Sequence, residues 1–259
     1  MRVTTDTRAR LGLLACAALP WSCERPVAEL GYELRRTLPH DPEAYTQGLL
    51  VRDGVLFEST GRYGKSELRR VDAATGRVLR SHALSEEHFG EGLALVGDRL
   101  VQLTWKAGLA FVHDAATLAP ADTFEYDGEG WGLCHGGGSL FMSDGSGTLQ
   151  RRDPDTFDLI ERIAVTRDGF SVRNLNELEC VGDRVYANIY QSDDIVRIDG
   201  ATGEITGRLD AYSLSLAAGR PADAGAVLNG IAHDERRGTF FVTGKLWPAM
   251  FEIAIEGES

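Results

Sequence analysis

The sequence predicts an all-β protein with the fold of a five-bladed β-propeller. Three observations predict it: a strand pattern repeats five times, a turn motif recurs in step with the repeat, and one strand is left over before the first repeat. Repeats of roughly 40–45 residues with four strands each are typical of propeller blades. The chain has 259 residues, of which 43% are apolar, so it is long enough to bury such a core.

The repeat consists of an apolar residue, a polar hairpin rich in glycine and aspartate, and a second β-rich run. It occurs five times, as "TQGLLVRDGVLFESTG", "GEGLALVGDRLVQLTW", "GWGLCHGGGSLFMSDG", "LNELECVGDRVYANIY" and "LNGIAHDERRGTFFVTGK", which begin at positions 46, 90, 130, 175 and 228. The apolar residues that flank the hairpin are seven positions apart in the first four repeats and nine in the fifth. An open β-sandwich is the alternative, but it gives no reason for five units in phase.

The turn motif is Asp-x-x-Thr, in which the aspartate can accept hydrogen bonds from nearby backbone amides. It separates the third run from the fourth in the first four repeats, at Asp72-x-x-Thr75, Asp114-x-x-Thr117, Asp153-x-x-Thr156 and Asp199-x-x-Thr202. The fifth repeat lacks the motif and ends one strand short. We expect "GYELRRTL" (31–38) to complete this last blade, which closes the ring and covers an otherwise unpaired edge.

The N-terminal segment has the composition of a secretory signal. Three arginines precede the nine apolar or small residues of 11–19, and nine residues are too few to span a bilayer. The predicted divisions are a signal peptide (1–22), a linker (23–30) and the propeller domain (31–256), and the expected location is periplasmic or extracellular. Cys23 follows Ser22 as at a lipoprotein cleavage site, so lipid attachment, cleavage nearby and a disordered N-terminus all stay open.

Charge and cysteine content limit the partners. The formal net charge of -12 argues against nucleic acid, whose binding depends on Lys and Arg neutralising phosphates. We expect a monomer whose contact with a membrane, if the lipid is attached, is through Cys23. Cys134 and Cys180 are the two cysteines of the mature body, too few for a disulfide framework, and we expect buried free thiols.

Metal-ligand spacing is absent from the sequence. The six histidines are scattered, and no phosphate loop, nucleophile elbow or zinc motif occurs. We therefore expect no required cofactor and no catalytic metal. A structural calcium ion held by acids and amides near the propeller axis is the alternative.

Two rings of residues are expected to form a cup at one end of the propeller axis, because the first strand of each blade lines that axis. Two positions before the first apolar residue of each repeat lie Gln47, Glu91, Trp131, Asn176 and Asn229. The next position is glycine in four repeats and Glu177 in one, which favours crowded backbones or a close ligand. At the far end of each second strand, back at the same face, lie Gly61, Trp105, Gly145, Tyr190 and Lys245.

The predicted cup combines one acid, one cation, carboxamides and aromatic side chains. A concave site with a few convergent polar groups is the default hypothesis for a ligand site. Apolar walls are expected to raise the pKa of Glu91 towards neutrality, where a carboxyl both takes and gives a proton. Taken singly, these residues also fit a solvated turn, an ion pair or packing between blades; their convergence favours a site.

Several stretches of this sequence resemble the plant and bacterial type of glutaminyl cyclase, the glutaminyl-peptide cyclotransferases with a five-bladed propeller fold. The matching stretches occur in one order over about residues 31–255: "YTQGLL", "LFESTGRYGKSELR", "FGEGLAL", "GWGL", "LNELE", "ANIYQSD", "VLNGIAHD" and "FVTGKLWPAMFEI". The resemblance implies an acyltransferase that closes the N-terminal glutamine of peptides or proteins into pyroglutamate and releases ammonia. The alternatives are a secreted ligand-binding propeller without activity and a metal-dependent, lactonase-like hydrolase.

The resemblance also implies roles for individual residues. It makes Glu91 the catalytic acid and base, and we assign Lys245 to catalysis with it. The residues implied to shape or polarise the substrate site are Gln47, Phe89, Trp105, Trp131 and Asn176. Tyr45 and Tyr190 stand where the family commonly has Phe and Trp, so each keeps an expected aromatic surface and adds a hydroxyl to it, which we expect to affect the preference for the residue after glutamine.

Overall fold

The computed structural model describes residues 26–258 and contains five small antiparallel sheets arranged in a ring. The N-terminal segment forms β1 (Ala28–Glu29) and β2 (Tyr32–Pro39). Blade 1 comprises β3 (Thr46–Arg52), β4 (Val55–Thr60), β5 (Glu67–Asp72) and β6 (Val78–Ala83). Blade 2 comprises β7 (Gly90–Val96), β8 (Arg99–Thr104), β9 (Leu109–Asp114) and β10 (Pro120–Glu125).

The remaining blades follow in chain order. Blade 3 comprises β11 (Leu133–Gly136), β12 (Ser139–Met142), β13 (Thr148–Arg152) and β14 (Leu159–Ala164). A small hairpin follows, of β15 (Thr166–Arg167) and β16 (Phe170–Ser171). Blade 4 comprises β17 (Leu175–Val181), β18 (Arg184–Ile189), β19 (Asp194–Asp199) and β20 (Ile205–Asp210). Blade 5 follows the helix α1 (Tyr212–Ala217) and contains β21 (Leu228–Asp234), β22 (Thr239–Gly244) and β23 (Ala249–Ile255).

The N-terminal strand closes the ring as predicted. β2 pairs antiparallel with β23, in a register that runs from Tyr32 opposite Ile255 to Pro39 opposite Ala249, and so supplies the fourth strand of blade 5. β1, inside the segment predicted as a linker, pairs in parallel with β20 and adds a fifth strand to blade 4. The N-terminal segment thus covers the outer edges of two adjacent blades, which protects them from pairing with another chain.

The core lies between the blades rather than within one sheet. Each innermost strand neighbours the innermost strands of the two adjacent blades, so β3, β7, β11, β17 and β21 surround the axis. Five buried apolar clusters occur among the described residues, one at each interface between blades. The predicted Asp-x-x-Thr turns also form: in each the threonine amide donates to the aspartate Oδ1, at 2.8 to 2.9 Å. The predicted five-bladed propeller is confirmed.

The expectation of free thiols was wrong, because Cys134 in β11 and Cys180 in β17 form a disulfide with a Cα–Cα distance of 5.4 Å. The number of cysteines did not predict this disulfide, because the two cysteines lie in different blades and their strands become neighbours only in the folded ring. The separation of 46 residues is close to one repeat, and that spacing was the available signal. The bridge joins the innermost strands of blades 3 and 4.

The predicted signal segment and Cys23 lie outside the described residues. Within residues 26–258 no helix is long and apolar enough to cross a membrane.

Candidate functional site

The predicted ring residues lie where the innermost strands depart from regular pairing. The register between first and second strand shifts between Thr46 and Gly48, Gly90 and Leu93, Leu175 and Leu178, and Leu228 and Ile231. Gln47, Glu91, Asn176 and Asn229 fall within these four irregular segments, and in blade 3 the regular strand begins only at Leu133, two residues after Trp131. A β-bulge breaks the strict alternation of side chains and re-aims them. Repeated bulges therefore turn polar side chains towards one end of the axis.

The glycines of the repeat make room for backbones and for aromatic rings. A Cβ on Gly92 or Gly132 would overlap backbone atoms of the next innermost strand, which confirms crowding as the reason for the glycine ring. A Cβ on Gly61 would overlap the Phe89 ring, and one on Gly145 would overlap the indole of Trp131. Two of the five second-strand positions are thus empty of side chain so that neighbouring aromatic rings can occupy the cup.

The structure brings the predicted site residues together around one cavity of about 250 Å³. Its lining consists of Tyr45, Gln47, Phe89, Glu91, Trp105, Trp131, Asn176, Tyr190 and Lys245. All nine predicted site residues are in this set. Their catalytic and binding roles stay predictions, because position alone does not assign them.

The polar groups at the cavity floor form a chain of hydrogen bonds. The amide nitrogen of Asn229 donates to the Thr46 carbonyl at 2.9 Å and to Oε1 of Gln47 at 3.3 Å. Gln47 in turn donates from Nε2 to Oε1 of Glu91 at 2.9 Å. A backbone carbonyl only accepts, so it fixes the orientation of the Asn229 amide and, through it, that of Gln47. The ring residue Asn229 is fully buried behind the lining and positions Gln47.

Glu91 and Lys245, the acid and the cation of the cavity, shift each other's pKa. Burial raises the pKa of Glu91 well above its usual value; Lys245 opposes this rise, and the negative charge of Glu129 adds to it. Burial lowers the pKa of Lys245 to about 8, against the opposing effect of Glu91. The raised pKa predicted for Glu91 is confirmed in direction. The raised pKa makes the Glu91 carboxylate a stronger proton acceptor than an ordinary carboxylate.

Aromatic side chains form the walls of the cup. The Lys245 ammonium lies over the rings of Tyr45 and Tyr190, 5.0 Å and 5.4 Å from their centroids. Phe89 packs edge-on against Trp105, with centroids 5.5 Å apart, and Tyr190 packs edge-on against Trp131. Cation–π contacts hold the ammonium without neutralising it. Tyr45 and Tyr190 thus keep the aromatic surface that the resemblance implied.

Glu129 is a site residue that the sequence comparison of repeats missed. It lies in the loop between β10 and β11, and its Oε2 accepts hydrogen bonds from the indole nitrogens of Trp105 and Trp131. Loops fall outside the repeated strand pattern, so the phase of the repeat gave no signal. Its position two residues before Trp131, in "GEGWGL", was the available clue.

Within residues 26–258, no group of three or more His, Cys, Asp or Glu side chains is arranged so that it could hold a metal ion. Glu177, an acid near the propeller axis, accepts hydrogen bonds from the backbone amides of Leu49 and Ile231. The prediction that no cofactor is required stays a prediction.

Comparison with known proteins identifies the relatives of this chain. The family model described as glutamine cyclotransferase matches residues 9–255. A glutaminyl-peptide cyclotransferase of Arabidopsis thaliana is 43% identical over 230 residues, which cover 88% of this chain and 72% of that protein. The crystal structure of glutaminyl cyclase from Myxococcus xanthus matches with a TM-score of 0.84 and 40% identity, over 89% of this chain and 98% of that chain.

Fold and site together define a five-bladed propeller with a buried acid at the floor of an aromatic cup. The chain belongs to the glutamine cyclotransferase family, and the predicted resemblance is confirmed. It is accordingly an acyltransferase, which disfavours the ligand-binding propeller and the metal-dependent hydrolase considered from the sequence.

Proposed function

We propose that this chain acts as a glutaminyl-peptide cyclotransferase whose proton transfers are carried by Glu91. The α-amine of an N-terminal glutamine attacks the δ-carbon of its own side-chain amide, a five-membered lactam closes, and ammonia leaves. The observation that carries the proposal is the Glu91 carboxyl, which is only 4% exposed and faces the cavity with Gln47 and Lys245 beside it. Peptides and proteins that begin with glutamine are the proposed substrates.

The substrate brings nucleophile and electrophile in one residue, so the cup mainly has to hold a folded conformer ready for attack. Such positioning removes much of the entropic barrier. The walls supplied by Phe89, Trp105, Trp131 and Tyr190 are suited to enclosing the three side-chain carbons of glutamine. Access to the cup from one end of the axis suits a chain terminus, because the rest of the peptide can extend outward.

Two proton transfers complete the reaction, and one carboxyl can perform both. Ionised Glu91 takes a proton from the attacking amine, and the resulting carboxylic acid gives it to the departing amide nitrogen, which leaves as ammonia. The raised pKa of Glu91 suits the first step in particular, because it makes the carboxylate a stronger proton acceptor than an ordinary carboxylate. Gln47 donates to one oxygen of Glu91 and keeps the carboxyl oriented.

The tetrahedral intermediate places negative charge on the former amide oxygen, and two groups are suited to stabilise it. The Asn176 side-chain nitrogen is buried, and among residues 26–258 it has no hydrogen-bond partner. The asparagine belongs to the cavity lining, so we propose that this donor binds the substrate oxygen. Lys245 supplies the positive charge. Donors aimed at a developing oxyanion are each worth about 3–4 kcal/mol in other enzymes.

The test is ammonia release, with mass spectrometry of the peptide, from a short peptide that starts with glutamine. The same peptide with an acetylated N-terminus is the matched control, because its blocked amine cannot attack. We expect cyclisation of the free peptide only, unchanged by a metal chelator. Absence of cyclisation by folded protein would contradict the proposal and favour a ligand-binding propeller, whereas loss of cyclisation on chelation would contradict the proposal that no metal is needed.

We also propose that the protein is exported, acts as a monomer and needs no cofactor. The arginines before residues 11–19 support export, and so does the disulfide between Cys134 and Cys180, since structural disulfides persist in oxidising compartments. Lipid attachment at Cys23 is proposed as the link to a membrane. Cell fractionation of wild type and Cys23→Ala tests the anchor: release of the variant from the membrane fraction is expected, and equal distribution would contradict it.

A further inference from the structure

One carboxylate oxygen connects two walls of the cup that come from different blades. Oε2 of Glu129 accepts a hydrogen bond from Nε1 of Trp105 at 2.8 Å and another from Nε1 of Trp131 at 3.0 Å. Trp105 follows β8 of blade 2, and Trp131 precedes β11 of blade 3. Both indoles line the cavity. The separation of the two walls therefore depends on a residue that is itself outside the lining.

The chemistry of the contact explains why an acid occupies this position. An indole nitrogen only donates, and a half-buried indole needs an acceptor that stays in place. An ionised carboxylate oxygen can accept two donors at once, and its charge strengthens both bonds. The Lys106 ammonium lies 3.7 Å from Oε1 of Glu129 and 4.0 Å from the centroid of the Trp105 ring, so it restrains the carboxylate from the solvent side.

We propose that Glu129 is a positioning residue of this enzyme, which joins Trp105 to Trp131 and so fixes the width of the cup that receives the glutamine side chain. The catalytic part of this inference rests on the proposed function. The structural part, that Glu129 holds two indoles in place, does not.

The negative charge of Glu129 also affects the pKa of Glu91. The ionisable groups that act on Glu91 or are affected by it are Lys245, Glu129, Tyr45 and Tyr126. Glu129 raises the pKa of Glu91, whereas Lys245 lowers it. Removal of the negative charge alone is therefore expected to lower the pKa of Glu91 and move the acidic limb of the pH–kcat profile to lower pH.

The experiment compares Glu129→Gln, Glu129→Ala and the control Asp127→Asn with wild type. Asp127 lies in the same exposed loop, and among the described residues it accepts no bond from either indole. We measure KM, kcat, the pH profile and quenching of tryptophan fluorescence by acrylamide without substrate. Trp247 is fully buried, and Trp21 belongs to the predicted signal peptide and is the same in every variant, so a difference in quenching between variants reports on Trp105 and Trp131. Thermal midpoints establish that each variant is folded.

For Glu129→Ala we expect stronger quenching and kcat/KM lower by about tenfold, from the loss of two hydrogen bonds. Glu129→Gln keeps an oxygen that can accept both bonds, so its KM and quenching should stay near those of wild type while the acidic limb moves to lower pH. Two outcomes would overturn the positioning role. The first is that Glu129→Ala has the same KM and quenching as Asp127→Asn. The second is that Glu129→Gln and Glu129→Ala lower activity equally while both keep wild-type quenching, because the loss of charge alone would then explain the effect. Failure of wild type to cyclise would overturn the proposed function and leave the quenching test intact.

Discussion

Gln47 donates a hydrogen bond to Glu91 across the floor of the cup, and the two residues occupy equivalent positions 44 residues apart in adjacent repeats. Each lies in the irregular start of an innermost strand, where the pairing register shifts. Propeller symmetry thus brings two side chains from separate blades together, and the sequence difference between repeats makes one of them an acid and the other its orienting amide. This relationship explains why an acid stands at the beginning of an apolar strand.

Glu91→Gln should abolish most turnover without unfolding the protein. The substitution keeps size and hydrogen-bonding capacity but removes the group that exchanges protons, and general acid–base catalysis contributes about a hundredfold or more. Steady-state kinetics should show the fall in kcat, and the thermal midpoint should not drop. Glu204→Gln, an exposed acid before β20, is the matched control and should behave as wild type. Near-normal turnover by Glu91→Gln would rule out the acid–base role.

Asn229→Ala should impair catalysis although Asn229 does not line the cavity. Without the Asn229 donor, the Gln47 amide is free to rotate, and its Nε2 no longer has to point at Glu91. One lost hydrogen bond predicts a decrease in kcat of about fivefold to tenfold. A double-mutant cycle with Gln47→Ala checks the path, because residues that act through each other are not additive. Additive effects of the two substitutions would show that Asn229 acts independently of Gln47.

The fold was predictable because three independent features of the sequence all indicated five blades. Strand pattern, Asp-x-x-Thr turns and the spare strand all specified five blades, and the phase of the repeat placed Gln47, Glu91, Asn176 and Lys245 at one end of the axis. Three features were not predictable from that phase. Glu129 lies in a loop, the Cys134–Cys180 bridge depends on which strands become neighbours, and Asn229 occupies a ring position yet acts from behind the lining.

There is a physical reason why the repeat predicts some features of the site and not others. A repeat specifies which positions are equivalent, whereas the contact of one blade with the next depends on side-chain lengths and loop paths that differ from blade to blade. Gly61 and Gly145 illustrate it: both occupy the position that carries Trp105 in blade 2, and each is small because an aromatic ring from elsewhere fills its space. The sequence alone showed the glycines but not the rings they admit.

Lys245→Met should lower kcat by about a hundredfold, because it removes positive charge from the intermediate. It should also move the acidic limb of the pH profile to higher pH, since Lys245 lowers the pKa of Glu91 and its loss lets that pKa rise. In wild type kcat should fall as pH rises through about 8, where burial places the pKa of Lys245, and the variant should lose this dependence. Lys65→Met, at an exposed lysine, is the control. An effect on KM alone would assign Lys245 to substrate binding.

Removal of the disulfide should cost stability but leave the chemistry intact. The bridge closes 46 residues of chain between blades 3 and 4, and loop-closure entropy predicts a stabilisation of about 4 kcal/mol. We expect the Cys134→Ala/Cys180→Ala variant to unfold at lower urea concentration than wild type, with an unchanged KM. Reducing agent should shift the wild-type transition and not that of the variant. Equal transitions for oxidised and reduced wild type would contradict a stabilising role.

The closure of the ring should weaken as pH rises above 6.5 because of the buried pair formed by His40 and Glu58. His40, directly after β2, lies with Nε2 3.0 Å from Oε1 of Glu58 in β4, and its Nδ1 donates to the Trp247 carbonyl at 2.7 Å. Burial alone would lower the pKa of His40, but Glu58, the Trp247 carbonyl and Asp41 outweigh it and raise that pKa. Burial likewise opposes ionisation of Glu58, whose pKa is nevertheless lowered by His40, Arg69 and Thr46.

The signs of the two shifts define a window of maximal stability. A raised histidine pKa stabilises the fold below 6.5, its usual value, and this contribution is lost as pH rises through the higher folded-state pKa. A lowered carboxyl pKa stabilises the fold above 4.5 and is lost as pH falls through the lower folded-state value. The pair should therefore stabilise the protein most between pH 4.5 and 6.5.

Thermal midpoints of wild type should decline above that range, whereas the midpoint of His40→Gln should be lower within the range and should lack this decline. His88→Gln, at a histidine bonded to Ser85 near the surface, should retain the wild-type profile, and an unchanged alkaline decline in His40→Gln would show that another group causes it.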